Sequence, residues 1–462
     1  MKTIVKTMTF IVTLALLFQC DRDNPNPTIH IPDNNFLNAL IEQGVDTNGD
    51  GIISPDEAEI IISLDVSNEN ITDLTGIEAF VNLDTLDCSF NQITSLDVSN
   101  NTALTHLDCD RNQLTSLGVS DNTNLVSLAC SANQLTSLDV SNNSVLNYLS
   151  CTNNQLTSLD VSDNSALEFL GCNGNQLTGL DVSDNTNLVR LYCSRNQLTS
   201  LDVSYNSVLK YLSCAMSQLT TLDISNITAL EGLDCRNNQL TTLDVSNITA
   251  LKALDCKVNQ LTSLDVSNNS ALTELTCYYN QLTSLDVSNC PALQYLDCTL
   301  NQLTSLDVSN NTNLVSLVCP ANQLSSLDVS NNSVLEYLSC GENQLTSLDI
   351  SNNTTLFSLY CSRNQLTSLD VSNSVLIDLS CEGNQLTNLD ISTNTALSSL
   401  YCGKNQLTSL DVSNNTLLDQ LYLRDMPTLF EVCVWEMPFP PIEGFTLNTE
   451  GSPNVYFTTD CK

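Results

Sequence analysis

The chain has 462 residues, with 52 acidic against 14 basic, giving a formal net charge of −38. That charge argues against nucleic acid as a partner, because phosphate binding needs a basic surface. Only two histidines, His30 and His106, are present, which argues against His-based catalysis and His-rich metal sites. The 20 cysteines make the redox compartment the first question.

The N-terminus bears on that question. Lys2 and Lys6 precede an apolar run from Phe10 to Phe18, too short to cross a bilayer as a mature helix. Residues 1–19 read as a signal peptide. The run ends "LLFQC", then "DRDN". This resembles a bacterial lipobox with Cys20 as the lipidated residue, although Gln19 stands where a small residue is usual. Asp21 and Asp23 resemble the acidic sorting patch of some Gram-negative lipoproteins. The resemblance implies an outer-membrane lipoprotein, exposed at the cell surface and held by a lipid anchor with a linker over 20–32.

Residues 33–62 predict a helix–loop–helix cap. In "DNNFLNALIEQ" Asp33 can cap a helix whose Phe36, Leu37, Leu40 and Ile41 share one face, and Gly44 stops it. Then "DTNGDGIISPDE", residues 46–57, resembles an EF-hand loop at every diagnostic position. Asp46, Asn48 and Asp50 supply side-chain oxygens, Gly51 the sharp turn, Ile52 a carbonyl, Ser54 a water-bridged position and Glu57 a closing carboxylate. A hard cation wants six to eight oxygens, so Ca2+ is the expected ion. The plainer alternative is a polar turn without an ion. No second loop is found, so the site reads as a metal-stiffened cap.

From Cys88 to Cys361 a cysteine recurs every 21 residues; Cys381 and Cys402 continue the series after a one-residue deletion in "SNSVL". The unit is L-x-x-L-x-C-x-x-N-Q-L-T-S-L-D-V-S-x-N-x-x. It holds two leucine-rich-repeat phrases in tandem, each with one short strand. Stacked coils predict a β-rich solenoid over 63–425, of about 17 coils with two parallel sheets. Leu104, Leu107, Cys109, Leu114, Leu117 and Val119 should face the core of one coil, and Asn112, Asn133 and Asn154 should turn the chain. Buried free thiols are favoured over disulfides and metal, because Cys fits an inward position of a narrow core. Parallel Cβ atoms about 4.8 Å apart are also too distant for a bridge that prefers about 3.8 Å. Cys290, in "SNCPAL", stands off this ladder in place of a turn Asn.

Over residues 61–425 the chain resembles the 21-residue, cysteine-bearing leucine-rich repeats of internalin-type bacterial surface proteins, and the nested repeats of bacterial lipoproteins. The resemblance implies a binding or adhesion protein; the period itself implies only the solenoid. A scaffold without a single ligand pocket is the alternative. A carbohydrate-active enzyme ranks third, and the chain is read as no enzyme. The irregular segment 426–462 reads as a C-terminal cap. Within it Cys433 and Cys461 are candidates for a disulfide in an exported chain, against two unpaired thiols.

The second half-coil places Asp at one outward position, Asp97, Asp139 and on to Asp411, in 15 coils, with Gly118 the exception. Nearly equivalent solvated carboxylates do not make the asymmetric acid pair of a glycosidase. They read as a Ser–Asp face that keeps the solenoid soluble. The other half varies. All ten basic residues between 83 and 424 lie on it, as do ten of the 11 tyrosines there. Arg and Tyr are enriched in binding hot spots. Recognition of a protein or glycan is therefore expected on this side, with Arg190, Tyr192, Arg195, Lys210 and Tyr211 as the first candidate cluster. The molecule is expected to be a monomer.

Overall fold

The computed structural model describes residues 28–440 and 444–461. The expected signal peptide, residues 1–19, and Cys20 lie outside the described residues. Nineteen three-residue strands, from Ser63–Asp65 to Thr446–Asn448, make one parallel sheet. Its register follows the sequence period: Leu86 pairs with Leu107, and Leu107 with Leu128. The side chains alternate, so the leucines and the following cysteines point inward and are buried. Two strands beyond the expected 17 come from the ends: "SLD" at 63–65 and the Thr446–Asn448 strand of the C-terminal segment.

The second row of strands is attenuated. It survives as single-residue bridges, such as Asp97 to Gly118 to Asp139, and as a three-stranded sheet of Ser409–Asp411, Glu431–Cys433 and Tyr456–Thr458. The cause is local competition for hydrogen bonds. Ser99 gives its N–H to the Asp97 carboxylate at 3.0 Å. The Val98 carbonyl accepts from Asn101 N–H at 2.9 Å and from the Asn122 side chain at 2.9 Å. Few backbone groups are left for a ladder on that side.

Two rows of buried asparagines staple the coils. In the first, Asn154 donates to the Cys130 and Cys151 carbonyls and accepts from Leu135 N–H at 2.9 Å. The second, Asn101 through Asn415, donates in the same way, but its Oδ1 atoms are buried without a protein partner. Ile227, Ile248 and Cys290 replace Asn in that second row and are fully buried.

The N-terminal helix α1 (Asn34–Glu42) is capped by Asp33, which accepts from Asn35 N–H at 2.8 Å and Phe36 N–H at 3.2 Å. The other Asp33 oxygen accepts from Thr72 N–H at 2.7 Å and Asp73 N–H at 3.1 Å. Asn35 and Gln43 donate to the Asn70 and Asp65 carbonyls. The cap thus satisfies edge groups that a solenoid end would otherwise expose. At the other end Cys433 and Cys461 are disulfide-bonded, with Cα atoms 5.6 Å apart. Phe439 packs against Trp435, Phe445 and Phe457 there, with centroids 5.3, 5.1 and 5.0 Å apart.

Candidate functional site

The cysteine ladder carries no reactive chemistry. The 16 ladder thiols and Cys290 are all free and buried. Burial pushes the Cys151 thiol up to about 12, and its neighbours Cys130 and Cys172 also rise. A thiol held neutral in an apolar core is neither a nucleophile nor a ready metal ligand.

The Asp row of the second half-coil is equally quiet. Ser141 gives Asp139 its hydroxyl at 2.7 Å and its N–H at 3.0 Å. Those two bonds hold the Asp139 carboxyl below its ordinary value. The same Ser-to-Asp pattern lowers Asp160 and Asp181. From Asp139 through Asp390 every carboxylate of the row is held low, so none of them is the raised partner that acid catalysis needs.

In the EF-hand-like loop the donor set is entirely oxygen. Asp46 accepts from Gly49 N–H at 2.7 Å and Gly51 N–H at 2.9 Å, Asn48 from Asp50 N–H at 2.8 Å, and Asp50 from Ile52 N–H at 3.1 Å. These bonds coil the loop and leave lone pairs on each oxygen. Glu57 is buried and reaches back across the loop. It takes Ser54 N–H at 3.0 Å and Thr47 N–H at 2.8 Å. The Ser54 amide first, then the Thr47 and Ser54 hydroxyls, depress its carboxyl to about 2. Ser54 also caps the second helix, α2 (Pro55–Glu59). The Ile52 side chain is exposed and Ile53 is buried beneath the loop. Among the described residues, the Asp46, Asp50 and Glu57 carboxylates do not all lie within 4.8 Å of one another. The residues suit a hard cation in kind; gathering them on one ion requires Glu57 to exchange a loop amide for the metal.

The variable half-coil is where the surface differs from one coil to the next. The continuous sheet sets Arg190 opposite Tyr211 in register, and the guanidinium stands 5.6 Å from the ring centre. Tyr192 lies beside them, edge-on to Phe169, which stacks on Tyr148 at 4.4 Å. Lys210 and Arg195 flank this group at opposite strand ends. Lys210 precedes its strand and pairs with Glu231 at 3.5 Å. Arg195 sits past the strand in a left-handed turn, φ +56°. The five candidates therefore form a three-residue centre with two outlying cations.

That left-handed position recurs in almost every coil, at Phe90, Arg111, Val258 and Tyr279 among others. It is costly for residues other than Gly. Of the residues occupying it from Phe90 to Asp425, Gly174, Gly383, Asn153, Asn237 and Asp425 are of the types that favour the left-handed region, and the rest are not.

Next to Tyr211 the sheet face opens into a groove of about 360 Å³. Two successive strands place Gly232 and Ala253 where Tyr148, Phe169 and Tyr211 stand in earlier coils. Tyr192 and Tyr211 wall one side and Glu274 the other, with Asp234 and Asp255 along the length. The Tyr211 ring leans over Gly232, where a Cβ would meet it at 3.1 Å. Arg236 bridges Asp234 and Asp255 at 3.6 and 3.3 Å, and Lys257 reaches Asp255 at 3.1 Å. Burial nonetheless raises the Asp234 carboxyl above its ordinary value. Both asparagine rows are interrupted in these coils. Ser217 replaces Asn in the first and has a buried hydroxyl without a partner, and Ile227 and Ile248 replace Asn in the second. The residue counts pointed to Tyr and Arg and missed the groove, which consists of two missing side chains.

A family model for leucine-rich repeats (2 copies) matches residues 81–122. Internalin J of Listeria monocytogenes serotype 4b is 41% identical over 75 residues, 15% of this chain and 8% of that protein's length. The solved functional domain of InlJ from Listeria monocytogenes, which includes a cysteine ladder, is 33% identical, with 88% of this chain and 83% of that chain covered and a TM-score of 0.62. A leucine-rich-repeat protein of Leptospira interrogans is 25% identical, with 79% and 93% covered and a TM-score of 0.65. A plant peptide hormone receptor in complex with RGF2 shares the fold at 20% identity, with 84% and 65% covered and a TM-score of 0.66.

Proposed function

The chain belongs to the leucine-rich-repeat proteins of the internalin type, and from that premise we propose that it is a surface-anchored recognition protein. Its binding surface is the variable face of the continuous sheet, and its ligand is a protein or a glycan. One observation carries this reading. The cations and all but one of the tyrosines between 83 and 424 lie on the half-coil whose residues change from coil to coil, while the other half repeats Ser and Asp almost unchanged. A surface that repeats one motif offers many equal sites; a surface that varies can offer one.

Cys20 supplies the lipid anchor in this reading. Among the described residues no helix is long and apolar enough to cross a membrane. Mass spectrometry of the membrane-fractionated protein should find a mature chain beginning at a lipidated Cys20; an uncleaved, unmodified N-terminus overturns the anchor. Ca2+ is the ion for Asp46, Asn48, Asp50, Ile52, Ser54 and Glu57, with a structural role in the cap. Extracellular sites of this kind bind at about 10⁻⁴–10⁻³ M. Calorimetric titration should show binding that Asp46→Ala abolishes, and no heat from the native chain removes the ion.

The binding face is tested by capturing a partner with the lipid-free ectodomain in Ca2+, then comparing two variants. Alanine at Arg190, Tyr192, Arg195, Lys210 and Tyr211 should weaken binding by at least ~10-fold. Alanine at four aspartates of the constant face should leave it unchanged. The opposite pattern assigns binding to the wrong side of the solenoid.

A further inference from the structure

The geometry points to the groove over Gly232 and Ala253 as a seat for a basic side chain, lysine or arginine, presented by an extended segment of a protein partner. This deepens the reading of the variable sheet as a recognition face and rests on it.

Three observations converge on a cationic guest. The first is shape. With a strand spacing of about 4.8 Å, Tyr211 and Glu274 stand roughly 14 Å apart, and between the Tyr211 ring over Gly232 and Glu274 only the Ala253 methyl intervenes. That is room for the aliphatic stem of a long residue lying across two strands. The second is the wall. Tyr211 is already engaged by Arg190 at 5.6 Å, so its ring presents a π-face to a guanidinium in this setting. Tyr192 adds a second aromatic wall. The third is charge. Asp234, Asp255 and Glu274 line the groove against two neighbouring cations, Arg236 and Lys257. Glu274 forms no ion pair among the described residues. One further positive charge balances the set. The chain as a whole, at −38, draws cations toward it over long range.

A sugar is the competing occupant, since it too favours tyrosine faces and carboxylates. It is disfavoured here because it leaves the three-to-two excess of carboxylates unbalanced in a partly desolvated groove. An acidic segment is excluded by the same count.

The test uses the full chain and three fluorescent probes: a short Lys/Gly peptide, its Glu/Gly counterpart and a neutral Gly/Ser peptide. The Lys/Gly peptide should bind, and binding should weaken as salt rises from ~0.05 to ~0.3 M. Ala253→Phe fills the groove from an outward strand position and should lower that affinity by at least ~10-fold. Glu274→Lys reverses one exposed charge without touching the core and should do the same. Thermal melts check that both variants remain folded. Equal affinity for the Glu/Gly peptide overturns the proposal, as does undiminished Lys/Gly binding in both variants. So does glycan-array binding that Ala253→Phe removes while no Lys/Gly binding exists. A captured partner lost on the Tyr/Arg substitutions but retained by Ala253→Phe sinks the groove and leaves the recognition face standing. Loss on the aspartate set alone sinks that face as well.

Discussion

The two halves of each coil make opposite use of regularity. The half with the constant sequence, L-T-S-L-D-V-S, forms almost no continuous sheet, because its Asp, Ser and Asn groups occupy the backbone atoms that a ladder needs. The half with the variable sequence forms an unbroken sheet of 19 strands. Sequence constancy therefore marks a turn that must be remade by side chains in every coil. Backbone pairing, which needs only inward Leu and Cys, leaves the outward positions free to change. The proposed recognition face lies on the half whose scaffold asks least of its exterior.

Four measurements break or sharpen this contrast. The largest effect is chemical. A maleimide should label none of the 17 described free cysteines in the native protein and all of them in denaturant. Rapid native labelling of several would show that the strand half opens easily. Next come the two asparagine rows. Asn154→Ala orphans the buried Leu135 N–H, while the Cys130 and Cys151 carbonyls keep the neighbouring Asn133 and Asn175, and should cost about 2 kcal/mol. Asn143→Ile, on the turn side, should stay within about 1 kcal/mol, because the lost Oδ1 has no partner and Ile fills the equivalent site at 227 and 248. Urea melts giving the reverse order would invert the assignment of the staples.

A smaller effect tests the left-handed turn. Val258 is β-branched at φ +54°, and Val258→Asn should stabilise by about 0.5–1 kcal/mol. A loss on melting would show that packing of the Val258 stem outweighs its backbone strain. The smallest effect is a pH contrast. Burial pushes the Asp108 carboxyl up to about 6, with Asp110, Asp87 and Asp65 adding repulsion. A raised carboxylate destabilises the fold while ionised. Stability from this group therefore rises as pH falls through about 6 toward 4. Asp108→Asn should stabilise at pH 7 by under ~1 kcal/mol after solvent screening, with the gain gone by about pH 4. Asp139, held low by Ser141, has the opposite sign: its contribution is present at neutral pH and fades as pH falls below its ordinary value of 3.8. Parallel pH profiles for Asp108→Asn and Asp139→Asn would erase the distinction.

The solenoid was legible because burial and period coincide: each inward Leu, Val and Cys sits at a fixed offset in a 21-residue unit, and such a unit has one economical way to stack. The left-handed position was not legible. Phe90, Arg111 and Val258 carry no turn signature; the Asn that follows each donates back to the Cys carbonyl before it, yet Met216 keeps the same conformation ahead of Ser217, so the conformation belongs to the coil rather than to any one residue. The C-terminal segment was read as a cap from its broken period, yet Thr446–Asn448 and Tyr456–Thr458 extend both strand rows. Backbone pairing does not require the spacing that gave the repeat away. In the candidate cluster, Arg190, Tyr192 and Tyr211 could be placed together by alternation along neighbouring strands. Arg195 and Lys210 could not, because they lie beyond the strand ends, where alternation no longer predicts direction.

The shortened turn at Ser374 shows how the coils tolerate editing. One residue is missing there, yet Ser358 still pairs with Asp378 and Leu359 with Leu379. Ser374 closes the turn on the Val371 carbonyl, and Asn394 takes up the Ser374 carbonyl from the next coil. Length errors are thus absorbed outside the sheet. Unequal recombination between the near-identical L-T-S-L-D-V-S tracts would delete or duplicate whole coils in register and join one exterior to another. Such an exchange would change the outward residues of the sheet while the helical cap and the disulfide-bonded end stay as they are.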